Sequence, residues 1–481
     1  MKQGSIKTNT FFYIVRQITF VLNGLIVFPY VSRALGSDNM GAVSFSESVV
    51  NYFVLIAGFG INNYAIREGS KRRNDIDEFN KFANQIFTIN ILSTLFSFSL
   101  FLLMIIFWHK TESYRSFLFI SSLNIFSATI GINWFYNVLE DFRYIALKGI
   151  LTHIVSILAI FILVKNSSDS IIYLSIIILT EFIACVYSFL NARRVMNIRI
   201  TKDTEIQKHF KPLLILFFNS LISSVYVNSD ITLLGIFQDD KTVGTYYAAT
   251  RIYTIIKNLL SSIILVTLPK LSIYAKDTDS QNYAILSKKV FDALMCILLP
   301  ASVGLFCLSK NIILVLSGTD YLSGVTSLKI LSISLVFSLT AWYFTTSILI
   351  PNKKEKRVLT ATLFSSLFNF VSNLFIIPRY SLNGAAFTSL LAEISVMIIA
   401  GSEAMKHISF KVFNKDLLID LIGCLFIFLI CNTRNVLQLS LFYETASSIA
   451  ISVLVYFLVL YLGKHSILLS AVDSLKNKFF N

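Results

Sequence analysis

The chain carries 481 residues, 55% of them hydrophobic and 14% charged, with a formal charge of +14. In a soluble protein that charge would suggest a nucleic-acid partner. Here the cations crowd into short loops between long apolar runs, where membrane topology and anionic headgroups account for them, and nucleic acid is excluded.

A hydrocarbon core takes about 20 apolar residues per helix, because no water satisfies the backbone there. By that measure the sequence predicts fourteen spans, at 11–32, 43–65, 84–107, 117–139, 145–164, 171–190, 212–236, 244–268, 290–309, 325–350, 358–377, 384–405, 416–432 and 441–462. The first apolar run is interrupted by Arg16 and is longer than a signal-peptide core, so it is expected to stay as the first helix. Cys185, Cys296, Cys307, Cys424 and Cys431 lie within or at the edges of these runs, and none forms a CxxC pair. Neither a disulfide framework nor a metal site is expected.

The loops alternate in charge. One set holds Arg67, Lys71, Arg72, Arg73 and Lys81, then Arg193, Arg194, Arg199, Lys202, Lys208 and Lys211, then Lys353, Lys354, Lys356 and Arg357. The other set holds single cations such as Lys165, Lys241, Lys310 and Arg379. The tally is about 29 cations on one side against about 8 on the other, which puts both termini in the cytoplasm and requires an even number of spans. The longest connections, near 191–211 and 269–289, are too short to fold as domains and lack phosphate-binding glycine loops or metal-ligand clusters. Transport is favoured over catalysis, and the chain is not expected to be an enzyme.

A local echo suggests two related halves. Leu35-Gly36 ends one long helix and Gly41 opens the next, while Leu234-Gly235 and Gly244 repeat the arrangement. Glycine at such a re-entry allows tight turning and close helix approach.

Four segments carry a family resemblance: YVSRALGSDNMGAVSFSESVVNYFVLIAGFGINNYAIRE (Tyr30–Glu68), INWFYNVLEDFRYIA (Ile132–Ala146), VNSDITLLGIFQDDKTVGTYYAATRI (Val227–Ile252) and PRYSLNGAAFTSLLAEI (Pro378–Ile394). Together they resemble the polysaccharide-synthesis membrane proteins, the Wzx-type O-antigen and capsule repeat-unit flippases of the multidrug/oligosaccharidyl-lipid/polysaccharide exporter superfamily. The resemblance implies an all-α integral membrane protein with two six-helix lobes in a V, as in drug exporters of the MATE type, and two appended helices. It divides the chain into an N-lobe (1–190), a cytoplasmic linker (191–211), a C-lobe (212–405) and a final pair with its tail (406–481). It further implies a bacterial inner-membrane monomer that moves an undecaprenyl-pyrophosphate-linked oligosaccharide from the cytoplasmic to the periplasmic leaflet. Membrane lipids, and the polymerase and chain-length regulator of the same pathway, are the implied partners. No cofactor is expected beyond coupling to a proton or sodium gradient.

A charge near the bilayer centre costs about 2.5–3.5 kcal/mol on insertion scales, so each one needs a reason. Arg16 in the first helix, with Arg251 and Lys257 in the eighth, would reach a central cavity if the resemblance holds, and would bind a pyrophosphate. The competing readings are snorkelling for Arg16 and Lys257, and pairing of Arg251 with Asp230. Glu47, Asp230 and Glu393 are expected either to couple ions or to pair with these cations. Asp292 and Glu181 are expected at the solvated interface. Arg33 and Arg67 are gate or headgroup-entry residues, or plain interfacial anchors. Trp134, Tyr246, Tyr247 and Tyr253 are placed to stack on sugars, although interface belts of Tyr and Trp are common in any membrane protein. A drug antiporter of the same fold should have an acidic cavity, and these cations argue against it. A flippase for another polyprenyl-linked cell-wall precursor stays open at this point.

Overall fold

The computed structural model describes the backbone of residues 6–276, 280–408, 410–433 and 440–470, with side chains from residue 24 onward except at 204, 276 and 280. Among these residues the fold is all-helical, without strands. It begins with α1 (Ile6–Gly58), α2 (Ile61–Arg72), α3 (Ile76–Phe107), a 3-10 turn (His109–Tyr114), and the short α4 (Arg115–Ser121), α5 (Leu123–Ile130) and α6 (Asn133–Val138). There follow α7 (Phe142–Leu163), α8 (Ser170–Val195), α9 (Gln207–Phe237), α10 (Asp240–Lys276) and α11 (Ser280–Leu316). The chain ends with α12 (Val325–Tyr343), α13 (Glu355–Ala404), α14 (Lys415–Thr433) and α15 (Leu441–Gly463). A π-helical turn, Phe344–Leu349, extends α12.

Twelve helical stretches among the described residues are long and apolar enough to cross a membrane. Their outward faces are greasy: Leu158 and Ile162 on α7, and Leu454 and Leu462 on α15, stand exposed, which suits lipid rather than water. This is a multi-pass membrane protein. Two of the stretches, Gly24–Arg72 and Glu355–Ala404, run to 49 and 50 residues. At about 1.5 Å per residue each would be more than twice as long as a hydrocarbon core of about 30 Å. Both are broken. Gly36 (φ 76, ψ 171) interrupts α1 in a conformation that only glycine adopts without strain. Ser381 (φ 52, ψ −138) interrupts α13, and two residues later Asn383 accepts a hydrogen bond from Ser327 on α12 at 2.9 Å.

The chain divides into two compact units, Met1–Gly244 and Thr245–Asn481. The first has an aromatic-rich core in which Phe79, Phe82, Trp134, Phe135 and Tyr136 pack around α2, α3 and α6. In the second, Leu308 of α11 packs with Ile419 and Ile427 of α14 and with Tyr456 of α15.

Within the first unit the two glycine re-entries of the sequence meet each other. A Cβ on Gly41 would lie 1.8 Å from the Asp240 carbonyl oxygen, and one on Gly244 would lie 1.9 Å from that of Ser37. A Cβ on Gly235 would strike the Phe45 ring at 2.0 Å. The start of α10 and the middle of α1 therefore approach backbone to backbone, as small residues permit between membrane helices. The turn before α10 is clasped from the side: Lys110 Nζ donates to the Ile236 carbonyl at 2.7 Å and Tyr114 Oη to Asp240 at 2.5 Å. The acidic pair at this turn is structural, with Asp239 accepting the Thr242 N–H at 2.9 Å.

The segment between α8 and α9 is pinned rather than free. Asn84 and Thr88 of α3 accept the Arg199 and Thr201 N–H groups, and Gln85 donates to Asp203 at 2.7 Å. Gln85 Oε1 also meets His209 Nε2 at 2.8 Å, and Tyr64 Oη meets the other ring nitrogen at 2.7 Å. The Glu205 N–H, Gln85 and Lys81 hold the Asp203 carboxyl below its ordinary range, and Lys208 and Lys81 do the same for Glu205.

Two outcomes follow from this packing. Gly41→Ala or Gly244→Ala pushes a methyl group into backbone that cannot rotate away, and should cost at least about 1–3 kcal/mol of thermal stability. For the linker, depressed carboxyl values mean attachment that is complete above the unfolded range near about 4 and lost as pH falls through the folded values. Amide protection factors of residues 199–206 should therefore fall in acid, and Gln85→Ala should produce the same loss of protection at neutral pH.

Candidate substrate site

In the second unit, a cation and an anion from two different helices face each other where α10, α12 and α13 meet. Lys257 of α10 extends its ammonium to Glu393 Oε1 of α13 at 3.1 Å. The same oxygen accepts Ser338 Oγ of α12 at 2.8 Å. The Tyr253 ring, one helical turn before the lysine, lies 5.5 Å from the ammonium and faces it with the negative side of its π system. The glutamate side chain is 11% exposed, whereas the lysine keeps 30%. The site thus has one buried, doubly held carboxylate and one partly open cation on a flexible stem.

The other residues read from sequence fall around this pair or apart from it. Arg251, on the same helix, is half-buried and has no ion-pair partner among the described residues. Arg16 lies on the backbone of α1, but its side chain is outside the described residues. Asp230 is buried on α9 and Glu47 half-buried on α1, both in the first unit and both engaged with neighbours. Arg33 is exposed. Arg67 is exposed in the middle of α2 beside Glu68, 3.2 Å away. Of the aromatics, Trp134 packs edge-on against Phe79 and Phe82, and Tyr246 is fully buried, so protein neighbours occupy both rings in this conformation. Tyr247 is half-buried, and Tyr253 serves the lysine.

One of the two interfacial acidic readings changes. Asp292 is buried, not solvated, because Lys288 and Asn414 both reach it. Glu181 is half-exposed but lies 3.8 Å from Lys148, whose side chain is 11% exposed.

Residues 6–275 match the family model described as "Polysaccharide biosynthesis protein", more than half of the chain. The chain belongs to that family. A candidate O-antigen transporter of Escherichia coli (strain K12) is 25% identical over 275 residues, covering 56% of this chain and 65% of its own length. The match thus spans somewhat less than two thirds of that relative. The capsular polysaccharide biosynthesis protein CapF of Staphylococcus aureus is 24% identical over 339 residues, covering 68% of this chain and 82% of CapF. Among solved structures, the lipid II flippase MurJ in an inward closed conformation superposes with a TM-score of 0.75 at 18% identity, over 96% of this chain and 99% of MurJ. An inward-facing multidrug-resistance MATE transporter gives 0.60 at 12% identity, over 82% and 94%. These superpositions establish the fold.

The second unit of this polysaccharide biosynthesis protein also holds a cluster that sequence spacing does not reveal. Cys296, Asp420 and His465 are all buried and offer donor atoms within 4.8 Å of one another. The composition resembles a zinc set, but the bonding differs. His465 Nδ1 accepts the Ile467 N–H at 3.3 Å, capping the helical turn that starts at Ser466. A neutral ring so engaged carries its proton on Nε2, which lies 3.4 Å from Asp420 Oδ1 and has no lone pair for a metal. Tyr456 Oη sits 2.8 Å from the same carboxylate oxygen. The arrangement is a polar clamp tying α14 to the end of α15. His465→Ala should lower stability by about 1–3 kcal/mol, because it leaves the buried Asp420 carboxylate with Tyr456 alone among the described residues and empties a buried side-chain site. Added zinc, or chelator, should leave the melting temperature of the purified protein unchanged.

Proposed function

We propose that this protein is a flippase for undecaprenyl-pyrophosphate-linked oligosaccharide repeat units of an O-antigen or capsule, moving them from the cytoplasmic to the periplasmic leaflet by alternating access. The observation that carries the reading is a partly open lysine held inside an apolar helix bundle in a polysaccharide-biosynthesis family member. A cation kept there at a cost of about 2.5–3.5 kcal/mol needs an anion; Glu393 supplies it in this structure, and a diphosphate head supplies it during transport, with Lys257 as a point charge and Arg251 as a planar donor. Arg16 is proposed as a further donor.

An apolar cavity of about 570 Å³, lined by Pro300 and Gly304 of α11, Ile427 of α14 and Tyr456 of α15, gives room for part of an isoprenoid chain. Counting the arms on either side of Gly36 and Ser381 as separate crossings turns the twelve stretches into fourteen. In that arrangement both termini lie in the cytoplasm, two six-helix lobes (1–190 and 212–405) flank a linker, and the last pair is appended. The lobes rock against each other as a monomer in the bacterial inner membrane, driven by a proton or sodium gradient. The closeness of the MurJ superposition favours one second reading, a different polyprenyl-linked cell-wall precursor as cargo.

The test uses cells lacking the gene. Wild-type chain should restore surface polysaccharide, whereas Arg251→Glu and Arg16→Glu, at equal membrane abundance, should each reduce it by at least about tenfold, the equivalent of 1.4 kcal/mol. Undiminished export from both variants would remove the diphosphate site. Rescue by flippases of known repeat unit identifies the cargo.

A further inference from the structure

We infer that Glu393 is a built-in substitute for the substrate's anionic head: it neutralises Lys257 while the carrier is empty, and an incoming diphosphate displaces it. The inference rests on the flippase reading above and assigns a competing group within that same site.

The two members of the pair are unequal in freedom. Glu393 is buried and anchored by Ser338, so its carboxylate stays in place. Lys257 is about three times more open and hangs on four rotatable carbons, so it is the partner that can turn to another anion. A diphosphate carries more charge than one carboxylate and offers several acceptor oxygens, and on those terms it outbids Glu393. Tyr253 supports the ammonium in its position against Glu393, with the ring centre 5.5 Å away.

The exchange suits a carrier that must return empty. A bare lysine in an apolar bundle resists the rearrangement, whereas a lysine closed on its own carboxylate presents a neutral pair. The cost falls on binding. Each substrate must leave Glu393 with Ser338 as its remaining hydrogen-bond donor among the described residues, which lowers affinity and keeps release possible.

Binding of farnesyl diphosphate, a short soluble polyprenyl diphosphate, to the full-length purified chain tests this by calorimetry. Glu393→Gln removes the competitor and should tighten binding about tenfold. Ser338→Ala keeps the competitor but takes away the donor that would hold it after displacement, so it should weaken binding several-fold. The opposite signs matter, since a merely structural disturbance would weaken both. Lys257→Gln should weaken binding at least about tenfold, and Lys257→Gln/Glu393→Gln should bind no better than Lys257→Gln. If Glu393→Gln binds as wild type or more weakly while Lys257→Gln loses affinity, the substitute role is overturned and the flippase site stands. If Lys257→Gln binds as wild type, the site itself is misplaced. Should Glu393→Gln fail to fold, Ser338→Ala keeps the inference falsifiable: unchanged or tighter binding overturns it.

Discussion

A charge placed among hydrocarbon must be compensated, and the interior of this protein is arranged around that requirement. Lys257 and Glu393 illustrate it within one site: the cation is supplied by α10, the anion by α13, and a hydroxyl from α12 supports the anion. Removing one member would leave the other stranded, which is costlier than never having built the pair. Three helices are thereby held in register by one polar contact. An ionisable group inside the membrane costs enough that it is read first as functional.

The second constraint is close approach. The α1–α10 contact in the first unit depends on the absence of side chains at Gly41 and Gly244, where backbone oxygens occupy the space of a Cβ. Association in lipid gains nothing from excluding water, so packing and interhelical hydrogen bonds must carry it. Lys110 and Tyr114 add two such bonds at the same end of the bundle. The breaks at Gly36 and Ser381 belong to this logic, since each divides a helix too long for the bilayer without inserting a loop. One break uses the residue that tolerates positive φ at no steric cost, whereas at the other a serine bears the strain.

What could be read from the sequence follows from how far apart interacting residues lie. Spans were legible because an apolar run of membrane length is a local property: the expected segments at 145–164 and 290–309 correspond to α7 and to part of α11. The glycine re-entries were legible as a short echo, though their reciprocal contact was not. Lys257 and Glu393 were each singled out for their cost in a bilayer, yet their pairing spans 136 positions and leaves no trace in spacing. Ser338 was invisible, because one hydroxyl in a serine-rich helix has no signature. The buried Asp292 was misjudged for a related reason: hydropathy places a residue along the membrane normal but does not say which face of a helix meets protein.

Charge counting assigns orientation by treating loop cations as independent, and the folded protein shows that they are not. Glu403, at the end of α13, lies within 4.0 Å of Lys354, Arg357 and Lys406, so one carboxylate gathers cations from both sides of a long helix. Glu68 does the same for Arg67, Lys71 and Arg72. These pairs are mostly exposed on the cationic side and contribute little to stability singly. They form only once the helices have assembled, whereas orientation is decided as each segment inserts and follows Lys and Arg with little regard for neighbouring acids. A loop can therefore be strongly basic for topology and nearly neutral for binding. In the folded state the uncompensated cations are the ones to weigh, and between residues 251 and 257 Arg251 has no ion-pair partner among the described residues, whereas Lys257 is closed on Glu393.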